Sequence, residues 1–266
     1  MGTRIEATLS AGSVLAPWPN RIRDGHFMFD GIEHQLEITE PALGNASHGF
    51  VRRRNWSLVD HTYEAVELSV DVGLHKGWPY PLQLTVAYEV GAGRTDRHAH
   101  GHEQGCDLVA VRLGMHTFIR AGDFPLDECA LHLAAGTGCR SIRRGCCRTR
   151  IRRQSPVRTT TSDTETACRV QLDTPYSALD VVDGSGRTQH ELLAPDGTAL
   201  PCGPTASSRG FRPSSQIRHD KGYPDRGRAL ALEPMTCPPD AFNSGIDLLV
   251  LHPGQTWTGS WGIKAL

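Results

Sequence analysis

The chain has 266 residues, of which 38% are hydrophobic and 21% charged, and its net charge is −1 at pH 7. This length can bury a sizeable core, and the balanced charge argues against nucleic acid or an acidic membrane surface as a partner. No apolar run approaches about 18 residues and no signal-peptide pattern opens the chain, so we expect a cytoplasmic protein without a membrane span. The eight scattered cysteines do not suggest a disulfide framework.

The first predicted element is a β-hairpin over residues 27–36. Its Asp-Gly turn lies between apolar runs, and glycine accepts the positive φ that a tight turn requires. An Asn-Arg pair at 20–21 precedes the hairpin, and an N-x-x-H-G run at 45–49 follows it. A hairpin alone needs neither feature, so the bracketing residues suggest a site built on a sheet.

Alternating apolar and polar residues predict further strands. The alternation is clear over 65–72 and 82–90, and it returns over 129–133 and on both sides of a Pro-Gly turn at 253–254. A period of two indicates a sheet with one buried face. No stretch has sustained helical periodicity. We therefore expect an all-β sandwich or barrel in a single domain over 1–266.

Three segments break the pattern and are interpreted as long loops or disorder: 91–105, 137–168 and 203–222. The first contains His98, His100 and His102, which could bind a metal if they lay in a strand, but their Gly and Arg neighbours favour a polar loop. The second is rich in Arg, yet it lacks the interleaved aromatic residues that would favour a nucleic-acid site. Compensated shifts of reading frame in the coding DNA would explain all three segments.

Three ionisable residues form a usable acid/base set. Glu233 lies between an apolar strand and a Pro-rich turn, where a raised pKa would suit a general base. The alternative for Glu233 is a strand-end carboxylate paired with an Arg. His48 and His116 each lie near a glycine, and each alone is more often structural than catalytic. A β-scaffold can nevertheless bring all three together.

Six segments, in order, resemble the aldose 1-epimerase (mutarotase) family. They are PWPNRIRDGHFMFDGIEHQL, NASHGF, GWPYPLQLTVAYEV, GMHTFIRAGD, LDTPYSALD and LEPMTCPPDAFNSG, and the final LHPGQTWTGSWGI resembles the family's closing hairpin. The resemblance implies a large antiparallel β-sandwich, the galactose mutarotase-like supersandwich, with an open sugar cleft. Family members have several strands before the first of these segments, so we expect this chain to lack its first strands.

The resemblance also implies a reaction, the interconversion of the α and β anomers of a free aldohexose. It needs no cofactor and no metal, only a base and an acid on opposite sides of the sugar. Glu233 resembles the base that takes the C1 hydroxyl proton, and His116 resembles the acid that protonates the ring oxygen. His48 resembles a second histidine that hydrogen-bonds near that oxygen.

The same motifs suggest substrate-binding residues. Arg21 and Asp173 resemble residues that bind sugar hydroxyls, and Asn20 lies beside Arg21. Trp78 and Phe118 could offer an apolar face to the sugar. The hairpin over 27–36 would then deliver the residues that bracket it to one cleft.

Two other functions stay open at this point. A hexose-6-phosphate 1-epimerase would need two or more arginines at the far end of the sugar, and the candidates, which the sequence cannot place, are Arg23, Arg52, Arg53 and Arg54. A non-catalytic carbohydrate-binding β-sandwich, a degenerate enzyme, is the third reading. In each case the expected partner is a small sugar.

Overall fold

The computed structural model describes residues 8–91, 94–103, 108–132, 135–138, 173–179, 187–205, 214–223 and 227–264. These residues form twenty-one strands, one short helix and two 3-10 turns, Thr8–Ser10 and Leu126–Glu128. The strands and the helix are β1 (Val14–Leu15), β2 (Arg21–Arg23), β3 (His26–Phe29), β4 (Ile32–Gln35), β5 (Asn45–Ser47), β6 (Ser57–His61), β7 (Ala65–Asp71), β8 (Leu82–Gly91), β9 (Arg94–Glu103), β10 (Val109–Val111), β11 (Gly114–Met115), β12 (Thr117–Ile119), β13 (Ala130–His132), β14 (Ala135–Gly138), β15 (Asp173–Leu179), β16 (His190–Leu193), β17 (Ala199–Thr205), β18 (Ser214–Tyr223), β19 (Gly227–Met235), α1 (Ala241–Ser244), β20 (Leu249–Leu251) and β21 (Thr256–Lys264). No helix in these ranges has the length and hydropathy needed to span a membrane.

Most strands belong to two large antiparallel sheets. One has eight strands in the order β13-β16-β17-β21-β9-β8-β7-β6, and the other has seven, in the order β1-β11-β19-β18-β15-β14 with β12 also paired to β19. Leu84 and Trp257 of the first sheet belong to one buried apolar cluster with Val14 and Met115 of the second. The core therefore lies between the sheets, and the all-β antiparallel prediction is confirmed.

A second apolar cluster supports β12 and β19 from behind. Ile119, Leu230 and Leu232 from these strands pack with Leu192 of β16 and Cys202 of β17, and all five side chains are buried. Because these positions alternate along β12 and β19, the intervening residues lie on the opposite face. That face carries the candidate catalytic residues.

One predicted hairpin is confirmed and another is wrong. β3 pairs with β4 from His26 opposite Gln35 to Phe29 opposite Ile32, and both residues of the Asp-Gly turn have positive φ. The Pro-Gly turn at 253–254 does not close a hairpin, because β20 pairs with β10 while β21 lies between β17 and β9. The two strands that flank this turn therefore pair with different neighbours rather than with each other.

The loop prediction for 91–105 is wrong over the described residues. β9 pairs with β8 over ten residues and with β21 over nine, from Thr256 opposite His102 to Lys264 opposite Arg94. Main-chain hydrogen bonds on both sides hold this strand without an apolar repeat in its side chains. The histidines at 98, 100 and 102 thus lie in a strand, but their side chains lie outside the described residues, so the metal hypothesis is not tested.

The loop prediction for 203–222 is also wrong where residues are described. β17 extends to Thr205, and β18 begins at Ser214 and pairs with both β15 and β19. A strand in the middle of a sheet is again specified by its neighbours rather than by its own pattern. Of the segment 137–168, residues 137–138 end β14, and the rest lies outside the described residues. The expectation of no helix is wrong for one turn, α1.

Candidate active site

The residues that bracket the first hairpin meet at one point. β2 pairs with β5 so that Arg21 lies opposite Ser47, which places Asn20 beside His48. The His48 amide donates to the Asn20 carbonyl at 2.9 Å, and the Asn20 amide donates to Nδ1 of His48 at 3.2 Å. Asn20 and His48 both have positive φ, at 55° and 61°. Gly49 follows with φ 63°, and a Cβ there would overlap the Ala16 carbonyl, which explains the glycine of this motif.

These contacts determine the tautomer of the His48 ring. A neutral imidazole has one protonated nitrogen and one that accepts a hydrogen bond. Because Nδ1 accepts from the Asn20 amide, the proton lies on Nε2. His48 is half-buried, so its Nε2–H is a fixed donor at the edge of a cavity.

Arg21 is oriented by a residue that sequence reasoning missed. Its Nε and Nη2 donate to the two carboxylate oxygens of Glu40 at 2.6 and 2.8 Å, a bidentate pair. Asn45 Nδ2 also donates to Glu40, at 3.3 Å. Glu40 precedes a proline in a turn and carries no motif, so only the pairing of β2 with β5 reveals it.

His116 and Glu233 lie opposite each other on neighbouring strands. Thr117 of β12 pairs with Leu232 of β19. In the same antiparallel register, His116, just before β12, lies opposite Glu233 of β19. Nε2 of His116 is 3.4 Å from Oε1 of Glu233, and both side chains are buried. The sequence suggested an acid and a base on opposite sides of a sugar, whereas the structure places the two side by side.

His48 completes this group. One donor atom from each of His48, His116 and Glu233 lies within 4.8 Å of the others. His48 and His116 line a cavity of about 220 Å³, and Arg21 and Arg52 also contribute to its wall. The structure thus brings together four distant parts of the chain, namely residues 20–21, His48, His116 and Glu233. Asn20 joins the group through its contact with His48.

The same donor set has a spacing that suits a metal ion. Two ligands about 2.1 Å from a tetrahedral zinc ion are roughly 3.4 Å apart, and two histidines with one glutamate form a known zinc set. The hydrogen bond to the other ring nitrogen of His48, however, has the wrong direction for a metal ligand. A metal-binding histidine donates its other ring N–H to an acceptor, whereas the other nitrogen of His48 receives a backbone N–H. The arrangement therefore suits proton transfer better than metal binding.

Trp78 does not belong to the site. Its side chain has no exposed surface, and its indole N–H donates to the Tyr80 carbonyl at 3.0 Å. Its ring packs near Trp18, Phe27 and Phe50, among other aromatic rings of the core. The prediction that Trp78 contacts the sugar is wrong, because the core encloses the whole side chain.

Two further predicted residues lie along the same sheet. Phe118 is half-buried, and its ring centroid is 5.3 Å from that of His116 and 5.3 Å from that of Tyr223. Asp173 begins β15 and pairs with Arg218, two strands from Glu233, which corresponds to about 10 Å across the sheet. Its side chain lies outside the described residues, so its role stays a prediction.

Comparisons with known proteins identify the family and the fold of the chain. The model of the family Aldose 1-epimerase matches residues 5–264. Escherichia coli (strain K12) has an uncharacterized protein, YihR, that is 28% identical over 251 residues, which are 92% of this chain and 75% of YihR.

Solved structures show the same fold at lower identity. A galactose mutarotase-like protein from Clostridium acetobutylicum aligns with a TM-score of 0.78 at 17% identity, over 96% of this chain and 78% of its own. The GalM/aldose epimerase homologue from C. elegans aligns with a TM-score of 0.77 at 17% identity, over 97% of this chain and 82% of its own. Both support the galactose mutarotase-like β-sandwich that the sequence suggested.

Proposed function

The chain belongs to the aldose 1-epimerase family, and we propose that it interconverts the α and β anomers of a free aldohexose by acid/base catalysis with ring opening. Family membership supports carbohydrate epimerase chemistry in general. The observation that carries the specific proposal is the buried pair of His116 and Glu233, 3.4 Å apart, of which His116 lines the cavity. The hydroxyl oxygen O1 and the ring oxygen O5 of an aldose are bonded to the same carbon, C1, so neighbouring groups can serve both.

In the first half of the reaction, Glu233 takes the proton from the C1 hydroxyl. His116 gives a proton to O5 as the C1–O5 bond breaks, and C1 becomes an aldehyde carbon. Each positioned proton-transfer group can contribute roughly 10²- to 10⁴-fold to the rate. Burial of both groups excludes bulk water, which strengthens their electrostatic interactions with the sugar.

In the second half, the aldehyde rotates about the C1–C2 bond and O5 attacks the other face of C1. Glu233 returns its proton to O1, and His116 recovers a proton from O5. Both residues end in their starting states, and no electrons are exchanged with any other molecule. Two proton transfers in each half, with the breaking and re-forming of the C1–O5 bond, account for the whole reaction.

His48 and Arg21 hold the sugar in this scheme. The Nε2–H of His48 donates a hydrogen bond near O5, and it stays a donor throughout because the Asn20 amide fixes the tautomer. Arg21 is held on the cavity wall by Glu40, where its guanidinium can bind a sugar hydroxyl. Neither residue needs to gain or lose a proton.

The test is polarimetry of freshly dissolved α-D-glucose and α-D-galactose with wild-type protein and with Glu233→Gln. We expect acceleration by the wild type and its loss in the variant, because the amide cannot accept the proton. Glu37→Gln is the matched control, since Glu37 is exposed and outside the site. Calorimetric binding of the sugar should survive in Glu233→Gln. A folded wild type that binds sugar but does not accelerate mutarotation would instead be a carbohydrate-binding protein.

Arg52 gives the hexose-6-phosphate reading one specific point of support. It contributes to the cavity beside His48, whereas Arg23 lies 4.0 Å from the buried Asp240 and Arg54 donates to the Asp71 carbonyl. A phosphosugar substrate would therefore depend on Arg52. Faster turnover of glucose 6-phosphate than of glucose, with loss of that preference in Arg52→Gln, would favour this second reading.

A further inference from the structure

Strand β9 carries three histidines at alternate positions, His98, His100 and His102. The sequence suggested metal binding only if these residues lay in a strand, and the register of β9 with both of its neighbours meets that condition. Successive residues of a strand alternate between its two faces, so the three histidines share one face of the eight-stranded sheet. The proposed function does not use them.

The neighbouring strands show which face this is. Directly opposite residues of an antiparallel pair lie on the same face. The cross-strand partners of the histidines are all exposed or half-buried: Ala87, Thr85 and Gln83 on β8, and Ser260, Thr258 and Thr256 on β21. Gly101, between two of the histidines, instead pairs with the buried Leu84 and Trp257. The histidines therefore lie on the outer face of this sheet, away from the core.

One side of this outer face is acidic. β6, β7 and β8 contain four carboxylates and no Lys or Arg. Their register places all four on the face of the histidines: Asp60, Glu67, Asp71 and Glu89. Gln83 Nε2, from the position opposite His102, donates to Asp71 Oδ1 at 3.3 Å on this face. Arg94 and Lys264 pair at the far end of β9. Imidazoles beside carboxylates favour a cation over a phosphate.

Strand geometry limits which histidines can share one ion. Residues two apart in an antiparallel strand are separated by about 6.8 Å, and residues four apart by about 13.6 Å. Two nitrogen ligands of a zinc ion are roughly 3.4 Å apart, because each Zn–N bond is about 2.1 Å long. Neighbouring histidines need to converge only a little to reach this separation, whereas the outer two are too far apart. His100 belongs to both neighbouring pairs, so every ion shared by two histidines of β9 needs it.

We infer that His100, together with His98 or His102, forms a binding site for one divalent transition-metal ion on the outer face of the eight-stranded sheet. Zn²⁺, Ni²⁺ and Cu²⁺ are ions that imidazole ligands suit. Two protein nitrogens leave the other coordination positions to water, so the site is open. It lies on a different sheet from Glu233, and it takes no part in the proposed reaction.

The test is calorimetric titration of Zn²⁺ into the full chain without an affinity tag. We expect His100→Gln to weaken binding at least about tenfold, because the two remaining histidines cannot share an ion. His98→Gln and His102→Gln should each weaken it only about twofold, since one of the two neighbouring pairs survives. His132→Gln is the matched control, a lone exposed histidine on β13 of the same sheet, and it should leave the affinity unchanged. Circular dichroism checks the fold of each variant.

The outcomes distinguish this site from other sources of zinc binding. Equal losses from the three β9 variants would overturn the inference, because the imidazoles would then act independently. Binding that Glu233→Gln weakens and His100→Gln does not would overturn it too, since the ion would then lie at the candidate active site. A folded wild type that binds neither Zn²⁺ nor Ni²⁺ would also overturn it. A loss concentrated at His100 would support the site, whether or not the protein turns over a sugar.

Discussion

The structure has a cavity of about 220 Å³ beside His116 and a larger one of about 490 Å³ beside Phe118, and the two differ in charge. The smaller one gathers ionisable groups, His48, His116 and the Arg21–Glu40 pair, whereas the larger one offers aromatic rings, with its cations already paired. Proton transfer needs a few ionisable groups at fixed distances, and recognition needs apolar area with hydrogen-bonding groups at its rim. His116, just before β12, contributes to the smaller cavity, and Phe118 in the middle of β12 contributes to the larger one.

The largest expected effect comes from removing the acid. His116→Gln should lower kcat by roughly a thousandfold, because a positioned general acid contributes about 10²- to 10⁴-fold. Polarimetry measures kcat, with the exposed His61→Gln as control. A kcat near that of the wild type would mean that chemistry is not confined to the smaller cavity.

The next effect concerns stability behind the larger cavity. His190 is fully buried in β16, two residues before Leu192 of the cavity floor, and burial lowers its pKa to about 4 from 6.5. The fold keeps this ring neutral while the unfolded chain protonates it, so stability is intact above pH 6.5 and decreases as the pH falls toward 4. The loss attributable to His190 should be about 2 kcal/mol at pH 5.

Urea unfolding of the wild type and His190→Gln at pH 7 and pH 5 measures this loss. The variant should lose about 2 kcal/mol less than the wild type between these two pH values, because it has no proton to bind. His132→Gln, at an exposed position of β13 in the same sheet, should keep the wild-type dependence. If both variants behave like the wild type, the layer behind the larger cavity is not as apolar as its burial indicates.

The smallest effect should come from the wall of the smaller cavity. Glu40→Gln weakens the bidentate hold on Arg21, and we expect KM to rise roughly tenfold while kcat changes little, since a hydrogen bond to a charged group contributes about 1.5–3 kcal/mol. Glu33→Gln makes the same chemical change in the exposed His26–Glu33 pair and should do nothing. A fall in kcat instead would place Arg21 in the chemistry.

The parts of the molecule that sequence predicted well are those that local chemistry specifies. The Asp-Gly turn predicted its own hairpin, and the Asn-Arg and N-x-x-H-G runs predicted a meeting point because a hairpin returns the chain to its start. His116 and Glu233 were singled out by their motifs. The sequence does not predict that they lie directly opposite each other, because the register between β12 and β19 depends on contacts distant in sequence.

The parts that sequence missed depend on neighbouring strands. β9 and β18 lack an apolar repeat and were interpreted as loops, yet each lies between two other strands. Trp78 looked like a cleft residue because sequence shows size and type but not burial. Glu40 and the larger cavity carry no motif, since a cavity is the space left between elements.

The facing positions of His116 and Glu233 also set how the chain can vary in length. Their 3.4 Å separation follows from the pairing of two backbones, so it does not depend on a flexible loop. Deleting or inserting a single residue within β12 or β19 would turn one of the two side chains to the opposite face of the sheet. Changes in length that preserve the reaction are therefore confined to the turns outside these two strands.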